Sequence, residues 1–286
     1  MSELQRIGVL GFGLMGAGIA EVCARAGCDV VVVEANPAAL EHGFARLEHS
    51  LERAERAGKL SVEERTSARA RVRASEELGE LADRQVVFEA VVEDEAVKRE
   101  LFGRLDSVVT DPEAIFASNT STIPIVKMAM ATERPASVIG VHFFNPVPVM
   151  PLVELTSSVR TSEQVAARTE EFVAEVLHKS VIHAQDRAGF IVNGLLIPYL
   201  LGAVRMLEAK FASAEDIDTG MVMGCGLPLG PLALCDFIGL DTVRLCAESM
   251  YAEYKDPTLA TPPLLARMTD GGLLGRKSGR GFYTYG

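Results

Sequence analysis

Short β-branched and aliphatic runs alternate with longer amphipathic or Ala-rich stretches through the first part of the chain. Residues 5–10, around Arg6-Ile7-Gly8-Val9-Leu10, read as a short buried strand, and residues 14–26 as a helix with small residues on one face. Val30–Val33 reads as a second buried strand, closed by Glu34. Strand, tight glycine turn, helix and strand make a βαβ unit. Residues 37–73 break this rhythm. They are charged, Ala-rich and helical, interrupted at Gly58, and Ser61 with Glu64 forms a capping-box signature for the second helix. The pattern predicts a helical hairpin inserted into the αβ series. Alternation then resumes, with strands at Gln85–Ala90, Ala114–Ala117, Val138–Phe143, Val153–Leu155 and Ser180–His183. Helices are expected between them at Asp94–Leu105, Thr122–Ala131 and Ser162–Leu177. This order implies a doubly wound parallel sheet, with an antiparallel edge permitted.

From about Asp186 strand-like runs almost vanish until the Phe282–Tyr285 tail, and apolar helices punctuated by turns such as Pro228-Leu229-Gly230-Pro231 take over. A boundary near residues 184–188 divides the chain into an α/β domain, 1–186, and an all-helical domain, 187–286. Phe190–Met206 and Met221–Leu240 are apolar around too much of their circumference for a domain this small, which predicts a homodimer formed through the helical domain. The stretch from Gly189 to Met206 is interrupted by Asn193 and Pro198 and falls short of a clean span of ~20 residues, so no membrane segment is expected. Arg6 followed by IGVLGFGLMGAGIA has the outline of a weak signal peptide, but its glycines fit an apolar strand and a tight turn instead.

Composition narrows the function. The chain has 286 residues, 48% hydrophobic and 23% charged, which excludes a disordered segment. Its net charge of −11, with no basic tract, argues against nucleic acid and anionic membranes as partners. Phosphate binding would need backbone donors and a few placed cations. Five cysteines without a CxxC pair read as reduced thiols in a cytoplasmic protein, and none has a His at zinc-like spacing, so no metal is expected.

Gly11-Phe12-Gly13-Leu14-Met15-Gly16 matches GxGxxG between a strand and a helix, and Glu34 closes the next strand at the expected distance of about twenty residues. Gly11 permits the turn, Gly13 admits a pyrophosphate, and Gly16 lets helix and strand pack. The helix N-terminus at Leu14 and Met15 offers N–H groups to phosphates. Glu34 would accept from the ribose hydroxyls and repel a 2′-phosphate, and Ala35, Asn36 and Pro37 supply no Arg, so the cofactor expected is NAD on a Rossmann-type domain.

Ser118-Asn119-Thr120-Ser121 and His142-Phe143-Phe144-Asn145-Pro146 each follow a strand, where a parallel sheet lines its ligand crevice. Glu154 lies twelve residues past His142, across a turn rich in proline. A His with an orienting carboxylate is an acid–base pair suited to oxidising a hydroxyl to a ketone. His42, His49, His178 and His183 read as structural or solvated.

The motifs GFGLMGAGIA, EAVVEDEAVK, ASNTST, HFFNPVPVMPLVEL, GFIVNGLL, LPLGPLALCDFIGLDT and GRKSGRGFYTY, in this order, resemble the 3-hydroxyacyl-CoA dehydrogenase family across essentially the whole chain. The likeness is strongest to its stand-alone bacterial 3-hydroxybutyryl-CoA dehydrogenases. It implies NAD-dependent oxidation of a 3-hydroxyacyl-CoA in fatty acid metabolism, and a dimer. By matching position, the resemblance makes His142 the catalytic base, Glu154 its partner and Asn193 a catalytic amide. Ser121 would contact substrate and nicotinamide. Glu93, Lys98, Asn145 and Lys277 would contact NAD, and Ser50 the CoA. A second CoA position, commonly Lys, falls on Ala57, with Lys59 as its substitute. Thr122 and Leu229 stand where Ser and Met are commoner. An NADPH-preferring acetoacetyl-CoA reductase, a carrier-protein-linked relative and a non-catalytic structural relative remain the alternatives.

Overall fold

The computed structural model describes residues 4–286, and the chain divides into a unit ending at Arg187 and a second unit, Ala188–Gly286. In the first unit the strands are β1 (Arg6–Leu10), β2 (Asp29–Val33), β3 (Val72–Ser75), β4 (Val86–Glu89), β5 (Ile115–Ser118), β6 (Val138–Phe143), β7 (Leu152–Ser157) and β8 (Ser180–Gln185). They form one eight-stranded sheet in the order 3-2-1-4-5-6-7-8. The valines of β2 are buried because the strand lies inside the sheet with both faces covered. The helices are α1 (Leu14–Arg25), α2 (Pro37–Arg56), α3 (Val62–Ala70), α4 (Glu95–Val108), α5 (Ile125–Ala129) and α6 (Glu163–Glu171).

One reversal matters for the site. The link from β6 to β7 is too short for the crossover a parallel partner needs, so β7 turns back antiparallel on β6 while β8 runs parallel to β7. The register sets His142 directly opposite Glu154.

The helical hairpin forms as α2 and α3, and its capping box is present: Glu64 N–H donates to Ser61 Oγ at 3.1 Å, and Ser61 N–H to Glu64 Oε2 at 2.7 Å. The hairpin does not extend to residue 73. Val72–Ser75 is the edge strand β3, paired parallel to β2, and Val72 is buried there. Sheet pairing outweighs the helix-favouring composition of this segment. The helix expected from Thr122 starts only at Ile125, because Thr120, Ser121 and Thr122 form a turn around a carboxylate. Its first N–H groups are capped from a distance, Ile125 N–H (2.6 Å) and Val126 N–H (3.0 Å) donating to Asp186. After Glu171 the next helix passes into a π-helical turn over Phe172–Val176, which buries Phe172 and Val173 side by side.

The second unit comprises α7 (Val192–Glu208), α8 (Ala214–Cys225), α9 (Pro231–Ile238), α10 (Leu240–Tyr254) and α11 (Pro263–Asp270) around Leu200, Leu201, Val204, Leu232, Val243 and Leu265. Two buried aspartates organise it. Asp218 accepts the N–H groups of Leu232 (2.8 Å) and Ala233 (2.9 Å) at the start of α9, and Asp236 those of Phe282 and Tyr283 (both 2.9 Å). The Phe282–Tyr285 tail is not a strand: its β-pairing is an isolated bridge between Arg280 and Thr284, and Asp236 holds its backbone. Leu195 on α7, Phe211 in the loop that follows it and Met223 on α8 are nevertheless at least 75% exposed.

Candidate active site

The glycine turn lies where the sheet order reverses, between β1 and β4, which is where doubly wound sheets bind ligands. Gly11 has φ +91°, and a Cβ there would come within 2.7 Å of the Ala90 carbonyl oxygen. A Cβ on Gly16 would lie 2.0 Å from the Gly11 carbonyl oxygen, which only hydrogen permits. Gly13 differs: its Cβ would meet nothing within 4 Å. It is also the N-cap of α1 and has no side-chain cap, so first-turn N–H groups at Leu14 and Met15 face an open approach. Glu34 Oε2 accepts the Phe12 N–H at 3.1 Å, which fastens the end of β2 to the turn. An open, uncapped N-terminus beside a carboxylate at the end of β2 fits the pyrophosphate and ribose of NAD. Glu34→Ala is expected to weaken NADH binding by on the order of 1–3 kcal/mol, the range for a hydrogen-bond acceptor that carries charge. A fluorescence titration of NADH giving the wild-type dissociation constant would remove Glu34 from the cofactor site.

A buried ionic network stands behind the Ser121 turn. Lys98 is 1% exposed and spends all three ammonium donors on carboxylates: Glu89 Oε1 (2.8 Å), Glu89 Oε2 (3.0 Å) and Glu93 Oε2 (3.0 Å). It therefore stands behind the Ser121 turn as a counter-ion to Glu89 and Glu93. Glu89, wholly buried at the end of β4, also accepts the Ser118 hydroxyl (2.6 Å) and the Val91 N–H (2.8 Å). Glu93 Oε1 accepts the Ser121 N–H (3.1 Å) and the hydroxyls of Thr120 and Thr122 (the latter at 3.0 Å). Burial opposes ionisation of Glu93, but Lys98 and these hydrogen bonds outweigh it and hold its pKa below the ordinary value. Burial would likewise neutralise Lys98, yet Glu89 and Glu93 hold its pKa above the ordinary value.

His142 ends β6 with its Nδ1 2.7 Å from Glu154 Oε2, and both side chains are buried. A carboxylate at this distance assigns the hydrogen of a neutral imidazole to Nδ1 and the lone pair to Nε2. The Phe144 ring packs 4.6 Å from the imidazole. Asn119, past β5, accepts the Phe143 N–H through Oδ1 at 2.9 Å and ties the Ser121 turn to the His142 strand. Lys179 donates to the carbonyls of Val147 and Met150, both at 2.7 Å, and braces the turn between His142 and Glu154. Glu89 and Lys179 escape the sequence reading, and Asn119, which the Ser118-Asn119-Thr120-Ser121 motif includes, carries no role of its own there. An acidic residue closing the apolar run Val86-Val87-Phe88 was the available signal for Glu89; nothing local marks Lys179.

Leu14, Ser50 and Asn145 come together on the wall of a cavity of about 180 Å³ between α1, α2 and the turn after β6, with Arg46 and Arg53 beside them. His49, read from the sequence as structural or solvated, lines it too. Lys59 lies exposed in the loop after α2 and is not among the lining residues. Asn193 and Lys277 belong to the second unit: Asn193 is half-buried in the first turn of α7, and Lys277 pairs with Asp241 at 2.6 Å.

Comparison with known proteins gives the same grouping across the chain. Residues 6–187 match the family model for the 3-hydroxyacyl-CoA dehydrogenase NAD binding domain, and residues 189–285 that for its C-terminal domain. A 3-hydroxybutyryl-CoA dehydrogenase of Mycobacterium tuberculosis is 56% identical over 282 residues, covering 99% of both chains. Among solved structures, FadB2 of M. tuberculosis superposes with a TM-score of 0.98 at 56% identity, covering 99% of both chains. The (S)-3-hydroxybutyryl-CoA dehydrogenase PaaH1 of Ralstonia eutropha gives 0.93 at 41% identity, covering 99% of this chain and 100% of that one.

Proposed function

The chain belongs to the 3-hydroxyacyl-CoA dehydrogenase family and is an NAD-dependent oxidoreductase; from that premise we propose that it interconverts (S)-3-hydroxybutyryl-CoA and acetoacetyl-CoA by acid–base catalysis at His142. The observation that carries the reading is the His142 Nδ1–Glu154 bond of 2.7 Å on the strand pair next to the Ser121 turn. NAD, when bound, supplies the hydride acceptor. Gly11, Gly13, Leu14, Met15, Gly16 and Glu34 would hold its adenosine and pyrophosphate portion, and Glu93, Asn145 and Lys277 the remainder.

In the oxidising direction His142 Nε2 takes the proton of the C3 hydroxyl. Glu154 stays ionised, fixes the tautomer and stabilises the imidazolium that forms. In the reducing direction the imidazolium returns that proton to the C3 oxygen. Ser121 and Asn193 are assigned to the C3 oxygen and the thioester carbonyl. Ser50, with Arg46 and Arg53 as placed cations in an acidic chain, is assigned to the CoA. Lys59 stays a more distant contributor.

The exposed Leu195, Phe211 and Met223 support a homodimer through the helical unit, and a monomer mass in light scattering at micromolar concentration would overturn it. Five free cysteines support a cytoplasmic setting. Among the described residues no helix is long and apolar enough to cross a membrane.

Initial rates with 3-oxoacyl-CoAs of increasing length, each with NADH and with NADPH, test the function. The reading expects the highest kcat/KM with acetoacetyl-CoA and NADH. Absent turnover of every acyl-CoA, or equal use of NADPH, would sink it.

A further inference from the structure

Glu21 lies on the inner face of α1, among Gly18, Ile19, Ala20, Val22 and Cys23, and is 1% exposed. A carboxylate so placed is costly unless its oxygens are paired. Its Oε1 accepts from Arg25 Nη1 at 3.2 Å, whereas Oε2 has no hydrogen-bond partner in the protein. Glu21 nevertheless lines the cavity between α1 and α2, on the same wall as Ser50. A buried, half-satisfied carboxylate beside the serine assigned to CoA lacks a purely structural account.

We propose that Glu21 is a positioning residue of the acyl-CoA site: its carboxylate accepts the Ser50 hydroxyl hydrogen and so turns the Ser50 lone pairs toward the cavity, where they receive an amide N–H of the pantetheine arm. The inference rests on the acyl-CoA reading above and adds the group that sets the donor–acceptor sense of Ser50. A serine hydroxyl has one hydrogen and two lone pairs, so what takes the hydrogen decides what the ligand meets. Among the described residues no other carboxylate lines this cavity.

The surroundings make the arrangement sensitive to pH. Burial pushes the Glu21 pKa above the ordinary value, and the Ser50 hydroxyl, Arg25 and Arg53 oppose that shift. Lys179, across from α1, interacts with both Glu21 and Arg25. Arg46 and His49 complete the charged and titratable groups on the α2 side of the cavity. Above its raised pKa Glu21 is an acceptor and Ser50 presents lone pairs. Below it, Glu21 carries a hydrogen of its own and can donate to Ser50, whose hydrogen then points to the ligand.

The test measures KM for acetoacetyl-CoA, with saturating NADH, from about pH 8 down to about pH 5, across the range a raised carboxyl pKa would occupy. Wild type is expected to show KM rising as pH falls. Glu21→Gln, which preserves side-chain volume, is expected to raise KM at neutral pH by ~5–10-fold, the loss of one charged hydrogen-bond acceptor, and to flatten its pH dependence. The effect falls on KM for acyl-CoA and not on KM for NADH. Ser50→Ala, which leaves Glu21 intact, should flatten the same profile, and adding Glu21→Gln to it should change KM less than twofold. An equal increment with and without Ser50, or a Glu21→Gln profile that follows wild type, overturns the proposal. Those outcomes differ from failure of the underlying reading, in which wild type itself does not turn over acetoacetyl-CoA.

Discussion

Replacing His142 by Gln is expected to lower kcat by ~10²–10⁴-fold, the usual cost of losing a positioned general base. Gln still donates and accepts hydrogen bonds and nearly preserves the volume of the ring, so the buried junction of β6 and β7 should persist. What Gln cannot do is take a proton from a hydroxyl and return it. The loss should therefore appear at saturating acetoacetyl-CoA and NADH, while the NADH dissociation constant stays near wild type, since the glycine turn and Glu34 are untouched. Glu154→Gln should also slow turnover. An amide opposite Nδ1 can present its NH₂ group there and favour the tautomer with the hydrogen on Nε2, which leaves the substrate-facing nitrogen without its lone pair. A folded His142→Gln variant with near wild-type kcat would dismiss His142 as the base. A Glu154→Gln variant with unchanged kcat would make Glu154 a structural residue of the sheet.

The two halves of the site differ in how far the chain announces them. The glycine turn is local: its three glycines, the strand before it and Glu34 after the next strand sit at spacings that strand and helix geometry impose, so the βαβ unit can be read directly. His142 and Glu154 are twelve residues apart, and a proline-rich turn hints that the chain doubles back. Only the strand register decides that they face each other; a slip of one residue would send Glu154 to the opposite face of the sheet. The supports are long-range and, apart from the acidic residue that closes the apolar run at Glu89, leave no local trace. Asp186 caps α5 across 61 residues, Lys179 braces a turn about thirty residues upstream, and Glu89 meets Ser118 only because β4 and β5 are neighbours. The edge strand β3 is hidden for a related reason. Four residues at the end of an Arg- and Ala-rich helix carry too short a pattern to override helix propensity, and their strand exists through pairing with β2.

The Lys98 network is where a single change should cost the fold most. Lys98→Met nearly keeps the length of the side chain and removes the cation between Glu89 and Glu93, whose carboxylates it contacts at 2.8–3.0 Å. Removing one partner of a buried ion pair costs ~3–5 kcal/mol, because the remaining charge stays desolvated. For a protein of this size that is a fall in melting temperature on the order of 10 °C. The pH dependence should change sign as well. In wild type Glu93 is held below its ordinary pKa, so its stabilising contribution is present above the unfolded-state pKa and fades as pH falls through the lower folded value. Without Lys98, burial pushes the Glu93 pKa upward, and the folded state then binds a proton that the unfolded chain releases. Its penalty should be smallest in mild acid and grow as pH rises through that raised pKa. The gap in melting temperature between Lys98→Met and wild type should accordingly widen from about pH 5 to about pH 8. NADH binding should weaken in parallel, since Glu93 anchors the Ser121 turn through its backbone N–H and the flanking hydroxyls. A gap that narrowed toward pH 8, or a variant as stable as wild type throughout, would mean that something other than Lys98 balances Glu89 and Glu93.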